Sequence, residues 1–347
     1  MTVQVGLIGY GMAGRVFHAP LIQATPGLRL AAIVTSRAAD VAALDPAISC
    51  LTDIDALLGD PAIDLVVIAT PSETHAALVE QALNAGKHVV VDKPFALSLT
   101  EARALAALAE KTGRRLVVFH NRRFDSDYLG ISAAIEAGAI GRITHFESHF
   151  DRFRPEVRDR WREDGSPGSG VWFDLGPHLV DQALALFGRP DAVDADITAL
   201  RTGSRADDWA HVVLRYADKR VVLHASLNAP GADAGGAPRF LAHGTGGTLI
   251  KRRIDPQEAQ LIAGLRPGDA DWGVDPDLVE HHDGHGQVTQ YPAIAGCQER
   301  FYAQVADAVR MGGPLPVSTS DAVATQEVIE AAWISARTGQ VISLPLP

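Results

Sequence analysis

Cysteine is scarce in this chain, with two, Cys50 and Cys297, among 347 residues. Two thiols so far apart make neither a disulfide framework nor a zinc motif, and they suit a reducing compartment. An excess of positive charge is lacking as well. With 31 Lys and Arg against 42 Asp and Glu, the formal net charge is −11, which argues against nucleic acid and anionic membranes as partners. A single phosphorylated cofactor is still admissible, because it responds to local charge. No apolar run approaches the ~20 residues that span a bilayer. Nor does a charged segment lead into a signal-type apolar core at the N-terminus, so a cytoplasmic protein is expected. Internal repeats are absent. What the length does allow is two domains, each with its own core.

Through about Phe124 short apolar runs alternate with helical patterns. Strands are predicted at Val3–Ile8, Leu30–Val34, Asp64–Ala69, Lys87–Val91 and Arg115–Phe119. Helices are predicted near Gly14–Ala24, Ile54–Leu58, His75–Ala85 and Leu99–Thr112. Ser98-Leu99-Thr100-Glu101 has capping-box spacing, and Gly86 and Gly113 suit helix ends. Such alternation implies βαβ units and a doubly wound parallel sheet. The pattern then changes. A helix near Ser126–Ala137 precedes Arg142–Phe150, whose side chains alternate as in a two-faced strand. A long helix near Val171–Phe187, further strands, and two closing helices near Gln298–Met311 and Asp321–Thr338 follow. The expected class is α/β. Residues 1–122 make a Rossmann domain, and 123–347 make an α+β domain with an open, mostly antiparallel sheet. The last helix is a candidate to pack back on the first domain. The loops 151–170 and 228–238 are candidates for mobile segments.

Gly9-Tyr10-Gly11-Met12-Ala13-Gly14 directly follows the first strand and opens a helix. In that context the three glycines serve a tight turn, close backbone approach to a pyrophosphate, and close helix–strand packing, in that order. The helix N-terminus adds unpaired N–H groups and partial positive charge. The second strand ends in Thr35-Ser36-Arg37, where a NAD-selective site usually places an acidic residue for the ribose 2′-hydroxyl. A hydroxyl and a guanidinium suit a 2′-phosphate instead, so NADP is expected in preference to NAD. Thr70-Pro71 and His75 follow the next long strand and should face the cofactor, although His75 is equally well read as a satisfied structural histidine.

His88-Val89-Val90-Val91 reads as a buried strand, and Asp92-Lys93-Pro94 follows it directly. Ligands in such sheets collect at the carboxyl ends of strands, which puts Lys93 at the rim of the cofactor crevice. Pro94 restricts the backbone at Lys93 to extended conformations. Asp174-Leu175-Gly176-Pro177-His178 lies near the start of the long helix. Residues i and i+4 share a helix face, so the carboxylate and imidazole are neighbours beside an apolar stripe. Pro177 suggests that this helix starts irregularly, or only after it.

Together these residues resemble the Gfo/Idh/MocA oxidoreductase family, which includes glucose–fructose oxidoreductase and inositol dehydrogenases. The likeness rests on Gly9–Gly14, Lys93-Pro94 and the Asp174/His178 pair, and it spans essentially the whole chain. Asp92 departs conservatively from the family's usual Glu. The segments His120–Asp127 and Glu147–Pro155 are similar to the branch containing NADP-dependent scyllo-inositol dehydrogenases.

The resemblance implies reversible hydride transfer between a secondary alcohol and nicotinamide. It implies His178 as general base, Lys93 on the reacting oxygen, and Asp174 holding substrate and tuning His178. A desolvated Lys93 acting as proton acceptor is the alternative assignment. Asp92, Lys93 and Arg122 complete the residues expected around the cofactor. Asp151, Arg152, Arg154, Arg158, Trp161 and Trp172 are candidates to bind a polyol, and the arginines leave room for a sugar acid. Glu280-His281-His282-Asp283-Gly284-His285 matches no defined metal spacing and reads as a solvated loop. No metal is expected. A nicotinamide-dependent glycosidase and a non-catalytic cofactor sensor are the competing classes. The resemblance points to homodimers or homotetramers, and the open sheet of the second domain offers a face for that contact.

Overall fold

The structure is a computed structural model that describes residues 2–232 and 238–347, so residues 233–237 of the 228–238 loop lie outside the described residues. Two compact units divide the chain. The first comprises 1–121, 257–272 and 297–323; the second comprises 122–256, 273–296 and 324–347.

The first unit opens with β1 (Val3–Ile8), α1 (Ala19–Ala24), β2 (Leu28–Val34), α2 (Ala38–Leu44), β3 (Ser49–Leu51), α3 (Ile54–Gly59), β4 (Leu65–Ile68), α4 (His75–Asn84), β5 (His88–Val91), α5 (Leu99–Thr112) and β6 (Leu116–Val118). The six strands lie in the order β3-β2-β1-β4-β5-β6, and every pairing is parallel. This is the doubly wound order that reverses beside β1. All residues of β4 are buried, as are Val89, Val90 and Val91 of β5, because helices cover both faces of the sheet. The capping box forms at α5, where Ser98 Oγ accepts from Glu101 N at 3.2 Å and Gly113 ends the helix with φ +66°.

In the second unit, α6 (Ser126–Glu136), β7 (Ile143–Asp151), α7 (Val171–Phe187), β8 (Ala192–Thr198), β9 (Trp209–Arg215), β10 (Arg220–Ser226), β11 (Phe240–Gly244) and β12 (Gly247–Lys251) follow. The chain next contributes α8 (Gln257–Ala263) to the first unit, β13 (Val279–His282) and β14 (Val288–Tyr291) to the second, and α9 (Glu299–Met311) to the first. It closes with α10 (Thr319–Thr338), which is divided between the units after Val323, and β15 (Ile342–Ser343).

The second sheet has nine strands in the order β14-β13-β12-β11-β7-β10-β9-β8-β15. Among the described residues only β7 and β10 pair in parallel; the other pairs are antiparallel. Phe146 and Phe150 of β7 join Trp172, Leu175 and Leu179 of α7 in its core. The intervening His145, Glu147, His149 and Asp151 are half-buried on the opposite face, as the alternation in this segment predicts.

Two expectations need correction. The second domain is not continuous, because the apolar faces of α8 and α9 are used in the first unit. Phe301, Tyr302 and Val305 of α9 are buried there, and α9 packs on α1 and β1. The stretch at 280–285 is not simply a loop, since its first residues belong to β13 and pair with β14. The long helix runs over Val171–Phe187 as its sequence range has it, with Pro177 inside it. Its first turn is held from outside, with Val171 N donating to Asp207 O at 2.9 Å and Trp172 N to Asp207 Oδ2 at 2.7 Å. Among the described residues no helix is long and apolar enough to cross a membrane.

Candidate active site

The glycine fingerprint forms a cradle at the carboxyl end of β1. Gly9 has φ +97°, and a Cβ there would run into Ala69 O; a Cβ on Gly14 would run into Gly9 O. Around Gly11 a Cβ would meet nothing within 4 Å. The first and third glycines therefore serve the turn and the helix contact, while the second leaves open space where a pyrophosphate would approach. Tyr10 is buried, Met12 is 52% exposed, and Ala13 precedes a π-helical turn over Gly14–His18 that leads into α1. Pro20 has no N–H for a bond to Val16, which fits a widened turn at this point. The backbone fits a dinucleotide.

At the end of β5, Lys93 is half-buried and its N–H donates to Asp92 Oδ1 at 2.8 Å. The Lys93–Pro94 peptide is cis. Burial works to raise the Asp92 carboxyl, but His18, Lys93 and His75 outweigh it and hold it at about 2. His18 Nε2 stands 3.9 Å from Asp92 Oδ2, a distance of charge interaction rather than hydrogen bonding. His18 itself has no exposed surface; its Nδ1 lies 2.6 Å from Tyr302 Oη, and its ring lies 4.2 Å from that of Phe119. Sequence reasoning missed His18 and Tyr302. The only available signal was a histidine four residues past Gly14 on the fingerprint helix.

His75 is also fully engaged. Its Nδ1 lies 2.8 Å from Pro94 O and its Nε2 3.0 Å from Thr70 O. It thus ties the end of β4 to the loop that carries Lys93, which makes it a positioning residue. Thr70 Oγ1 meets Thr74 Oγ1 at 2.6 Å, and Pro71 precedes the short 3-10 turn Ser72–Thr74.

At the other end of the cradle, Ser36 and Arg37 are exposed where β2 gives way to α2. Arg37 Nη1 stands 3.7 Å from Asp40 Oδ2, and the guanidinium is 56% exposed. Such an exposed pair is weak enough to be displaced by a better anion. The Tyr10 hydroxyl is raised by burial and Asp40, while Arg15 and Arg266 act in the opposite direction. Arg15, Arg37 and Arg266 bring basic charge to this end beside Asp40, and Arg266 had no sequence signal because it arrives on the α8 segment.

In the second unit, His178 is 6% exposed on α7. One turn earlier Asp174 is 23% exposed and accepts from Arg162 Nε at 3.2 Å. Asp207, which caps this helix, has its carboxyl pushed up to about 7 by burial. Arg122 is tied to Asp125 at 2.9 Å and lies over the Phe150 ring, which Arg152 also faces. Arg154 is lowered by burial and by the neighbouring charges of Arg152, Arg160 and Arg158, with Asp174 acting in the opposite direction, and Arg160 is paired with Glu163 at 2.6 Å. Trp161 lies under the Arg162 guanidinium at 4.4 Å.

Two substrate candidates sit elsewhere. Trp172 has no exposed surface, and its indole donates to Ile329 O at 3.3 Å, so the side chain belongs to the core. Asp151 faces His149 and His224 on the sheet. A further buried arginine, Arg239, is bound by Asp127 at 3.0 Å, Ser148 at 2.7 Å and Gln182 at 2.8 Å. It anchors α6, β7 and α7, and no local pattern marks it.

Family models match both parts of this architecture. Residues 3–120 match the NAD-binding Rossmann fold of the Gfo/Idh/MocA oxidoreductases, and residues 132–344 match the C-terminal alpha/beta domain of that family. The chain belongs to the Gfo/Idh/MocA family. It is 46% identical to the oxidoreductase YdgJ of Escherichia coli over 97% of each chain. It is 35% identical to the scyllo-inositol 2-dehydrogenase (NADP(+)) IolW of Bacillus subtilis, over 99% of this chain and 96% of that relative. Among solved structures, an oxidoreductase from Klebsiella pneumoniae superposes with a TM-score of 0.91 at 49% identity, covering 100% of this chain and 96% of that one. The protein is thus an NAD(P)-dependent oxidoreductase with a Rossmann domain and a mostly antiparallel second sheet.

Proposed function

We propose that the protein moves a hydride between NADP and a secondary alcohol of a cyclic polyol or sugar, of the scyllo-inositol type. The observation that carries this reading is Lys93 at the carboxyl end of β5, held by Asp92 and flanked by a glycine cradle with open space over Gly11. When bound, the nicotinamide supplies the hydride acceptor or donor. Lys93 provides an ammonium to the reacting oxygen and stabilises its alkoxide character. His178 takes the hydroxyl proton in oxidation and returns it in reduction, with Asp174 orienting the ring. Arg37 and Ser36 select the 2′-phosphate; charge-assisted bonds of about 1.5–3 kcal/mol amount to at least a tenfold preference. The name of the relative IolW supports both the cofactor and the substrate class.

The test is a panel of inositols, aldoses, sugar acids and their keto forms, followed by NADPH absorbance with NADP and with NAD. Lys93→Ala and His178→Ala should each lower kcat far more than they change cofactor affinity, and Arg37→Ala should weaken NADP about tenfold while leaving NAD unchanged. Near-normal turnover in both active-site variants would sink the mechanism, and equal use of NADP and NAD by the unaltered protein would sink the cofactor assignment. Sugar release from a glycoside without net NADPH change would identify a glycosidase instead.

Arg152, Arg154 and Arg158 leave room for an acidic sugar, so sugar acids belong in the first panel. We also place the protein in the cytoplasm and assign the helix-free face of the second sheet to self-association, which light scattering of the purified chain tests.

A further inference from the structure

The face of the second sheet opposite the helices carries an unusual concentration of histidine. Of the 13 histidines in the chain, His145, His149, His211, His224, His243 and, at the far edge, His282 share this face. The strand register explains why. His224 of β10 is paired with His149 of β7 on one side and with His211 of β9 on the other. The rings of His149 and His224 lie 5.3 Å apart, and those of His211 and His224 lie 5.6 Å apart.

Within this row, three side chains converge. His149 Nδ1 stands 3.7 Å from Asp151 Oδ2, and His224 Nε2 stands 3.5 Å from Asp151 Oδ1. A ligand atom from each of the three lies within 4.8 Å of the others. Around a tetrahedral metal with bonds of about 2.0–2.1 Å, neighbouring ligand atoms are about 3.4 Å apart. The two imidazole–carboxylate separations, 3.5 and 3.7 Å, are long for hydrogen bonds and close to such a coordination edge. Among the described residues, His149 Nδ1 and Asp151 Oδ1 are buried atoms with no hydrogen-bond partner, and the Asp151 side chain is only 9% exposed. Leaving such atoms unpaired is costly, so a shared partner is the economical arrangement.

The outer groups agree. His149 Nε2 lies 2.7 Å from Glu147 Oε2, and the other Glu147 oxygen lies 2.7 Å from His145 Nε2. A carboxylate on the far nitrogen fixes the tautomer that leaves Nδ1 a lone pair, as in carboxylate–histidine–metal sites.

We propose that His149, Asp151 and His224 form a binding site for a divalent transition metal of the zinc class, with Glu147 supporting His149 from behind. Two imidazoles and one carboxylate suit zinc and its neighbours, and they leave a fourth position for water or another ligand. The ion would join β7 and β10, the parallel pair of the sheet. The site is independent of the hydride-transfer reading and of the histidines at 281–285.

The full-length protein, stripped by a chelator, is titrated with Zn2+ by calorimetry and with Co2+ by visible absorption. One ion per chain is expected, with a tetrahedral Co2+ spectrum lacking thiolate charge transfer. Asp151→Asn and His224→Ala should each weaken binding about 100-fold, and Glu147→Gln about tenfold. His282→Ala should leave binding unchanged. Circular dichroism and metal-free melting temperature check that the variants fold, and the near-isosteric Asp151→Asn and Glu147→Gln keep the test decisive if His224→Ala does not. The proposal fails if the wild-type chain takes up no saturable Zn2+, if Asp151→Asn binds as tightly as wild type, or if His282→Ala abolishes uptake.

Discussion

Replacing Asp92 with Asn separates the charge of this side chain from its hydrogen bond. Asn keeps an acceptor for Lys93 N, now bound to Asp92 Oδ1 at 2.8 Å, but removes the anion that His18, Lys93 and His75 stabilise. The side chain is 14% exposed, so solvent weakens those interactions little. A carboxyl held at about 2 in the fold, against an ordinary 3.8, corresponds to about 2.4 kcal/mol of stability at neutral pH. Because the folded value is depressed, this stability is complete above the unfolded value and is lost as pH falls through the folded one. Linkage then leaves about 1.3 kcal/mol at pH 3 and about 0.4 kcal/mol at pH 2. The assay is amide hydrogen exchange at buried strand residues such as Val66, Val67 and Val90, measured across urea concentrations at each pH. These amides report the first unit alone, which avoids a two-state treatment of the whole chain. Asp92→Asn should cost about 2 kcal/mol at pH 7 and converge on wild type in acid. A loss that is the same at pH 3 and pH 7, or no loss at pH 7, would refute the charge argument.

Other perturbations address neighbouring parts. Gly14→Ala puts a Cβ against Gly9 O; it should cost about 1–3 kcal/mol in unfolding and weaken NADPH binding, read by the cofactor's fluorescence. Tyr302→Phe removes the 2.6 Å contact with buried His18 and should cost about 1–3 kcal/mol by equilibrium unfolding, with no change in circular dichroism. Lys251 is 2% exposed between Asp275 at 2.9 Å and Asp277 at 2.6 Å. Lys251→Met removes the cation between two acids that keep only neutral donors and should lower stability by about 3 kcal/mol, recovered in part when Asp275 is changed to Asn as well.

The first unit was legible because its signals are local. Gly9–Gly14, the valines of β5 and the capping box at Ser98 each act within a few residues, and each is found where its pattern predicts. The short elements α2 and β3 were not recognised, since three to seven residues carry too little periodicity. The partners around Lys93 were illegible for a different reason: His18 and Tyr302 are 284 positions apart in sequence, and only the return of α9 to the first unit brings them together. The same logic applies to the start of α7. Pro177 argues locally against an early start, yet Asp207 supplies the missing cap from 35 residues away, so a remote carboxylate overrides a local breaker.

The histidine row on the second sheet shows the limit most clearly. Alternation across 142–150 already put His145, Glu147 and His149 on one face, while Asp151, just beyond that segment, reads from the sequence as a candidate for polyol binding. Their meaning depends on which strand lies beside β7, and a parallel neighbour, β10, cannot be inferred from a hairpin turn. Once β10 is in place the register delivers His224 beside His149, and a polar edge becomes three converging ligands. By contrast, the histidines at 281–285 are adjacent in sequence but are spread along a strand and the turn that follows it. Proximity in sequence is a poor guide to shared ligation on a strand, because a strand sends successive side chains to opposite faces, whereas pairing between strands brings like-facing residues together.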